Sequence, residues 1–196
     1  MRIFFFNNYE LISHVNKYCF IPITWGGNVN SYKEAEKVLK NGSDKVYFNS
    51  AIVNNKSIII KTIKQFGSQA VIVGVDVKKI NSKYRVFYNR GLKMLNIDLK
   101  SHLENIQDLG PGEILIHSID RDGIGGGFDL ELIRFARKIV NCSITILGGA
   151  GNYSDFVDAA KAGADGIASG NIWHIKDNVE YNIKKTLKKN NIKIRI

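Results

Sequence analysis

One stretch of the chain occurs twice. Residues 25–53, WGGNVNSYKEAEKVLKNGSDKVYFNSAIV, return as residues 147–173, LGGAGNYSDFVDAAKAGADGIASGNIW. The opening glycine pairs are 122 positions apart, and the central glycine–aspartate pairs, Gly42/Asp44 and Gly163/Asp165, are 121 apart. Each copy reads as a turn, an amphipathic helix, a short apolar strand and a turn of small residues, so the repeating object is a pair of βα units. Two full halves at this spacing need about 242 residues. Because the chain has 196, the register predicts that the missing part belongs at the beginning.

Composition favours a single globular domain, residues 1–196, with 44% hydrophobic and 23% charged residues. Two cysteines, Cys19 and Cys142, are too few for a disulfide or metal framework and indicate a reduced, cytoplasmic setting. The N-terminal apolar run is too short for a signal peptide or a membrane span, so no membrane partner is expected. The net charge of +10 suggests attraction to anions. No nucleic-acid motif accompanies that charge, which favours anionic small molecules over nucleic acid.

Short apolar runs alternate with amphipathic helical patterns along the chain, as in parallel sheets built from βα units. The predicted strands are Ile21–Thr24, Lys45–Phe48, Ala70–Val75, Glu113–His117, Ser143–Leu147 and Gly166–Ala168. The predicted helices are Ser31–Asn41, Asn55–Phe66, Ile97–Leu109, Asp129–Val140, Tyr153–Ala162 and Asn178–Lys189, with residues 7–18 as one more. A hairpin turning at Asn81 and Ser82 interrupts the unit after Val75. Capping boxes are expected from Ser31 with Glu34 and, in the second copy, from Ser154 with Asp155.

Glycine-rich loops after four different strands, together with the duplication, favour an incomplete (β/α)8 barrel of about six βα units over a doubly wound sheet. The helix predicted at residues 7–18 has no strand of its own, unless Ile3–Phe6 is the remnant of that strand. The strand at Ile21 would then have an unpaired edge unless another chain covers it.

In such a barrel the chemistry lies where the strands end. Small residues there let backbone N–H groups approach an anion, and helix N-termini favour negative charge. The duplication therefore predicts two phosphate sites. One contains Asn28, Asn49 and Ser50; the other contains Gly148, Gly149, Gly170 and Asn171, with Asp122 and Gly123 nearby. For any one glycine pair, a short loop without function is the better explanation, but the same arrangement in both copies favours function.

Asp76 ends the most apolar strand, where a carboxylate is a natural general acid/base, although a helix cap or a partner for Lys78 is the alternative. Asp120, Arg121 and Asp122 could pair among themselves, and at least one of them is expected to do so. Lys45 and Glu113 begin their strands, so an ion pair across the barrel floor is expected. His117 is predicted to be a packed histidine rather than a metal ligand, since no second ligand lies at suitable spacing.

Six segments together resemble the cyclase subunit of imidazole glycerol phosphate synthase, in order and over nearly the whole chain: IPITWGGNV, DKVYFNSAIV, FGSQAVIVGVDVK, GEILIHSIDRDGIGGGFD, ILGGAG and AGADGIASGNIWH. The resemblance implies a barrel of two similar halves that takes ammonia from a glutaminase partner. It implies a lyase of histidine biosynthesis that cleaves and cyclises a bis-phosphorylated aminoimidazole carboxamide ribonucleotide, with no metal or organic cofactor.

By this resemblance Asp76 is the second of two catalytic aspartates. Asn49, Ser50, Gly149, Gly170 and Asn171 match phosphate-binding positions, with Asn28 and Asn171 standing where the family usually has Gly and Ser. Lys45 and Glu113 match two members of the charged ring through which ammonia enters.

The resemblance implies that the first strand and most of the second are missing, and that the first catalytic aspartate of the family would fall before Met1. A fragment, a split-gene product completed by a separate chain, and a decayed copy that binds phosphorylated ligands without turnover are therefore the open alternatives. A paralogue that passes ammonia to a sugar in surface-polysaccharide synthesis is another, because Trp25, Asn28 and Asn171 are substitutions in loops expected to face the substrate.

Overall fold

The computed structural model describes residues 2–4, 9–27 and 29–194. Its strands are β1 Arg2–Phe4, β2 Ile23–Gly26, β3 Lys45–Phe48, β4 Val71–Ile80, β5 Lys83–Tyr88, β6 Lys93–Asp98, β7 Glu113–Ser118, β8 Ser143–Leu147 and β9 Gly166–Ala168. Its α-helices are α1 Tyr9–Tyr18, α2 Tyr32–Lys40, α3 Ala51–Asn54, α4 Lys56–Phe66, α5 Leu99–Gln107, α6 Leu130–Arg137, α7 Tyr153–Lys161, α8 Ile172–Ile175 and α9 Val179–Lys189.

Seven of these strands form one parallel path in the order β1-β2-β3-β4-β7-β8-β9. The path curls into part of a (β/α)8 barrel, which confirms the predicted fold class. Within the described residues β1 and β9 are not paired with each other. Since all seven strands run the same way, their carboxyl ends meet at one mouth, where strand-end side chains can share a site.

Alternation along the strands separates two apolar cores. Outward-facing side chains such as Val73, Ile116 and Ile146 pack against the helices in the larger core. Inward-facing side chains build a small interior cluster of Tyr47, Ile72 and Leu115, with Leu147 packed against it. The interior is therefore a packed layer between the floor and the mouth of the barrel.

The repeated glycine–aspartate pairs perform the same structural task in both copies. In the first copy the Asp44 Oδ2 accepts a hydrogen bond from the Ile23 backbone N–H at 2.7 Å, and the Asp44 N–H donates to the Ile23 carbonyl at 2.9 Å. In the second copy Asp165 makes both bonds with Ile144, each at 2.9 Å. Gly42 and Gly163 precede them with φ of +103° and +110°, a conformation that glycine adopts without strain. Each pair therefore links the start of one strand to the start of the preceding strand.

Several predicted boundaries are wrong at the N-terminal side. The strand predicted at Ile21–Thr24 lies at Ile23–Gly26, because Pro22 has no N–H to donate and Ile21 is exposed. That strand has no free edge on this side, since Arg2–Phe4 pairs with it in parallel. Of the predicted helix at residues 7–18, residues 9–18 are helical, while residues 7 and 8, like residues 5 and 6 of the suggested strand remnant, lie outside the described residues.

The hairpin and the caps follow the predictions with two corrections. β4 and β5 pair in antiparallel fashion and turn at Asn81 and Ser82, both with positive φ. The sequence interpretation missed a third strand, β6, which pairs with β5. The capping box of Ser31 and Glu34 is confirmed. In the second copy, however, the N-cap is Asn152 and not Ser154, because the Asp155 side chain accepts from the N–H of Asn152, three residues earlier.

Candidate active site at the carboxyl ends of the strands

Asp76 lies at the mouth of the barrel, on β4, with its side chain almost fully buried. The parallel register places it opposite His117 on β7, and the two side chains meet with Asp76 Oδ1 3.4 Å from His117 Nδ1. Neither alternative for Asp76, a helix cap or a partner for Lys78, is among its contacts. A buried carboxylate beside an imidazole at a strand end is suited to accept and return a proton.

His117 is the site residue that sequence reasoning missed. Its Nε2 lies 3.3 Å from Asp122 Oδ2, so the imidazole stands between two carboxylates. Burial by itself lowers the pKa of His117, but the nearby charges of Asp76 and Asp122 raise the pKa above its usual value on balance. Asp76 and His117 meet because of the register between β4 and β7, and their separation in the sequence does not reveal this register.

The Asp120–Arg121–Asp122 segment does not pair within itself, contrary to expectation. Asp120 accepts from the Ser118 hydroxyl at 3.1 Å and from the Lys79 N–H at 3.1 Å. The Arg121 guanidinium reaches the Gly127 carbonyl at 3.3 Å and the Asp129 carboxylate at 3.8 Å. These partners fix the loop, so that Asp122 alone of the three turns towards His117.

The second predicted phosphate site forms a single cleft on one side of Asp76. The cleft is lined by Asp122, Gly123, Gly148, Gly149, Ala150, Ser169, Gly170 and Asn171, which includes every residue predicted for this site. Asn171 ties its two sides together by donating from Nδ2 to the Gly123 carbonyl at 3.2 Å. A Cβ on Gly149 would lie 2.3 Å from the Gly127 carbonyl oxygen, so only glycine fits the observed backbone there. The close approach of backbone at these loops is what a phosphate-binding site requires.

The first predicted phosphate site lies on the other side of Asp76, at the end of β3. Asn49 donates from Nδ2 to the Tyr47 hydroxyl at 3.2 Å, and the Ser50 hydroxyl accepts from the Asn89 N–H in the turn after β5 at 3.3 Å. Asn28 lies outside the described residues. The β5–β6 hairpin therefore reaches over this site, which the sequence interpretation did not foresee.

The expected ion pair is present at the opposite end of the barrel. Lys45 Nζ lies 2.6 Å from Glu113 Oε2, and the other Glu113 oxygen accepts from the Thr145 hydroxyl at 2.6 Å. Glu113 is buried, so the lysine charge and the threonine hydroxyl offset the cost of placing its carboxylate inside the floor. Tyr47 lies one inward position above Lys45, between this pair and Asp76. Burial, with the nearby charge of Asp76, raises the pKa of its hydroxyl far above the usual value.

Trp25 does not face the substrate side, in contrast to the expectation. It lies within β2, is fully buried and packs in the outward core against the helices.

Among the described residues no three His, Cys, Asp or Glu side chains are grouped so as to hold a metal ion. No helix in the described ranges is both long and apolar enough to cross a membrane.

Comparison of the sequence with known proteins shows its family. The family model described as "Histidine biosynthesis protein" matches residues 6–178. The imidazole glycerol phosphate synthase subunit HisF of Thermotoga sp. (strain RQ2) is 37% identical over 187 residues, covering 95% of this chain and 74% of the relative. The HisF subunits of Sulfolobus acidocaldarius and Dictyoglomus thermophilum are 39% and 36% identical, covering 90% and 95% of this chain and 70% and 75% of theirs. With a match over most of its length, the chain belongs to the histidine biosynthesis protein family, alongside the HisF subunits of imidazole glycerol phosphate synthase.

Proposed function

We propose that this chain is a cyclase-type subunit of imidazole glycerol phosphate synthase. In this role it uses ammonia from a glutaminase partner to cleave and cyclise a bis-phosphorylated aminoimidazole carboxamide ribonucleotide. The products are imidazole glycerol phosphate and the carboxamide ribotide. The observation that carries the proposal is the place of Asp76 between two small-residue sites at one barrel mouth.

The sheet order supports a substrate with a phosphate at each end. β3, with Asn49 and Ser50 after it, lies beside β4 on one side, while β7, β8 and β9 follow on the other. A ligand that spans from Ser50 to Gly170 would cross the mouth of the barrel, into which Asp76 points. Its two phosphates would accept hydrogen bonds from backbone N–H groups and from the side chains of Asn49, Ser50 and Asn171. Holding both ends positions the reacting atoms above the carboxylate.

Asp76 is the proposed general acid/base of the reaction. Attack by ammonia, cleavage and ring closure each need a proton moved at the reacting carbon or nitrogen atoms. A carboxylate at the inner side of the mouth can take a proton in one step and return it in another.

The Lys45–Glu113 pair is the proposed entry point for ammonia. It lies at the amino ends of β3 and β7, on the face opposite the mouth. A glutaminase that docks on this face would deliver ammonia on the far side of the interior from the substrate. Such a route would keep ammonia away from bulk water, where it would be protonated.

Two other functions remain as outcomes of the test. The first is an ammonia-dependent amidation of a sugar. Of the substitutions that suggest it, Asn171 is the one described residue that lines the site, because Trp25 packs in the outward core. A chain that binds phosphorylated ligands without turnover, or that needs a separate chain to complete its site, would share the cleft but not the reaction.

The deciding experiment incubates the purified chain with ammonium chloride and the bis-phosphorylated precursor, and detects both products by chromatography. The same assay is run with a glutaminase subunit and glutamine in place of ammonium, and with an amidatable sugar as substrate. Formation of both products from the single chain supports the proposal and excludes the binding-only function. Binding of the precursor without products, under every combination, would contradict it.

A further inference from the structure

A graded line of titratable side chains leads out of the buried end of the site. The side-chain exposure rises from 7% at Asp76 to 23% at His117 and 51% at Asp122. The two gaps along this line are 3.4 Å and 3.3 Å, and each ends on a different ring nitrogen of His117. Such a line is the arrangement by which a buried acid exchanges protons with water.

A buried general acid/base must recover its protonation state after every turnover. Asp76 is 5% exposed as a residue, and a bound substrate would cover the mouth above it. His117 contacts Asp76 through one ring nitrogen, and its other nitrogen faces the exposed carboxylate of Asp122. An imidazole can take a proton on one nitrogen while it releases a proton from the other.

Resting on the proposed function, we propose that His117 is a positioning residue that orients Asp76 and carries protons between it and Asp122. In the outward direction, the Asp76 carboxylic acid gives its proton to His117 Nδ1, and the proton on Nε2 passes to the Asp122 carboxylate and then to water. The inward direction reverses these transfers. One proton moves in each pass, and no group is oxidised or reduced.

Two features of the structure support this role over simple packing. The charged groups that the structure places against the imidazole are Asp76 on β4 and Asp122 in the loop after β7. Together they raise the pKa of His117 despite its burial, and each lies within contact distance of a different ring nitrogen. The neighbouring Asp120 and Arg121 are held by Ser118, Lys79, Gly127 and Asp129, which leaves Asp122 as the outer member.

The first test follows the His117 ring resonances by NMR during a pH titration of the full chain. The expected result is that Asp76→Asn and Asp122→Asn each lower the pKa of His117, because each removes one of the two charges. A titration that moves in neither variant would overturn the proposal, whether or not the chain turns over substrate. A shift in only one variant would also overturn it, since the relay needs both contacts.

The second test uses the cyclisation assay and chemical rescue. His117→Ala is expected to lower kcat by about 100-fold and to remove the ionisation of His117 from the pH profile of kcat. Added imidazole should restore part of the rate, and 4-methylimidazole should restore it according to its own pKa. His14→Ala, which changes an exposed histidine on α1, is the matched control and should have the kcat of the unaltered chain.

Unchanged kcat, or lost kcat without rescue by either imidazole, would overturn the relay while leaving the proposed function intact. A chain inactive in all forms counts against the proposed function, and the NMR titration then decides the relay.

Discussion

Replacing Gly74 by alanine should strain the interior of the barrel, because Tyr47 fills the space where the new methyl group would stand. A Cβ at this position would lie 2.0 Å from the Tyr47 hydroxyl oxygen, 2.4 Å from Cζ and 2.6 Å from Cε2. An ordinary contact needs about 3.4 Å or more, so the ring must move by about 1 Å. Its neighbours Ile72 and Leu115 are almost fully buried, which leaves little room for that movement.

Overpacking of this kind costs about 1–3 kcal/mol of unfolding free energy. For a chain of this size the melting temperature should fall by about 2–4 °C per kcal/mol, or about 2–12 °C in all. The assay is urea unfolding followed by circular dichroism, with Gly126→Ala as the matched control. The nearest atom to a Cβ at Gly126 is 3.8 Å away, so that substitution should change stability by less than about 0.5 kcal/mol.

A double-mutant cycle isolates the contact. Tyr47→Leu removes Cζ, Cε2 and the hydroxyl, so Gly74→Ala should cost at least about 1 kcal/mol less in this background than in the unaltered chain. If Gly74→Ala has the same cost in both backgrounds, Tyr47 does not pack against Gly74, and the inward register described for β3 and β4 is wrong.

Two further predictions concern stability. Asp44→Ala and Asp165→Ala should each lower the free energy of unfolding in urea by about 1–3 kcal/mol, since each leaves a strand N–H without its acceptor. The loss should be larger for Asp165→Ala, because Asp165 also pairs with Arg137. A negligible loss in either variant would contradict the structural equivalence of the two copies. His102, buried on α5, has a pKa lowered to about 4 by its burial and, to a smaller extent, by Lys56. The unfolded chain therefore binds more protons between about pH 4 and 6.5, so stability should fall by up to about 3 kcal/mol as the pH drops through that window. His102→Gln should flatten this dependence in urea unfolding at pH 7 and pH 5, and an unchanged slope would show that another group is responsible.

The sequence predicts most of the barrel because its signals are local. The bounds of β3, β8 and β9 follow from turn residues directly before short apolar runs, and the structure has the same limits. The ion pair between Lys45 and Glu113 could also be predicted from the sequence, because both residues begin parallel strands of a barrel. Local signals fail at β2, where Pro22 delays the strand by two residues relative to the apolar pattern.

Only part of the candidate site could be predicted from such local sequence signals. The glycine-rich cleft could be predicted because the repeat marks its loops twice. His117 could not, since its role depends on which residue of β4 lies opposite it. Trp25 was misplaced because the strand ends at Gly26, two residues later than predicted, so Trp25 lies within β2 and not in the loop after it.

The role of Asp76 as the general acid/base is tested most directly by comparing the unaltered chain with Asp76→Asn. Ammonium-dependent cyclisation of the bis-phosphorylated precursor is measured for both proteins, and binding of the precursor is measured by calorimetry. Asp158→Asn, an exposed aspartate on α7, is the control. The account predicts products from the unaltered chain and from the control, a loss of at least about 100-fold in kcat for Asp76→Asn, and nearly unchanged binding in all three. Turnover by Asp76→Asn at the rate of the unaltered chain would contradict it.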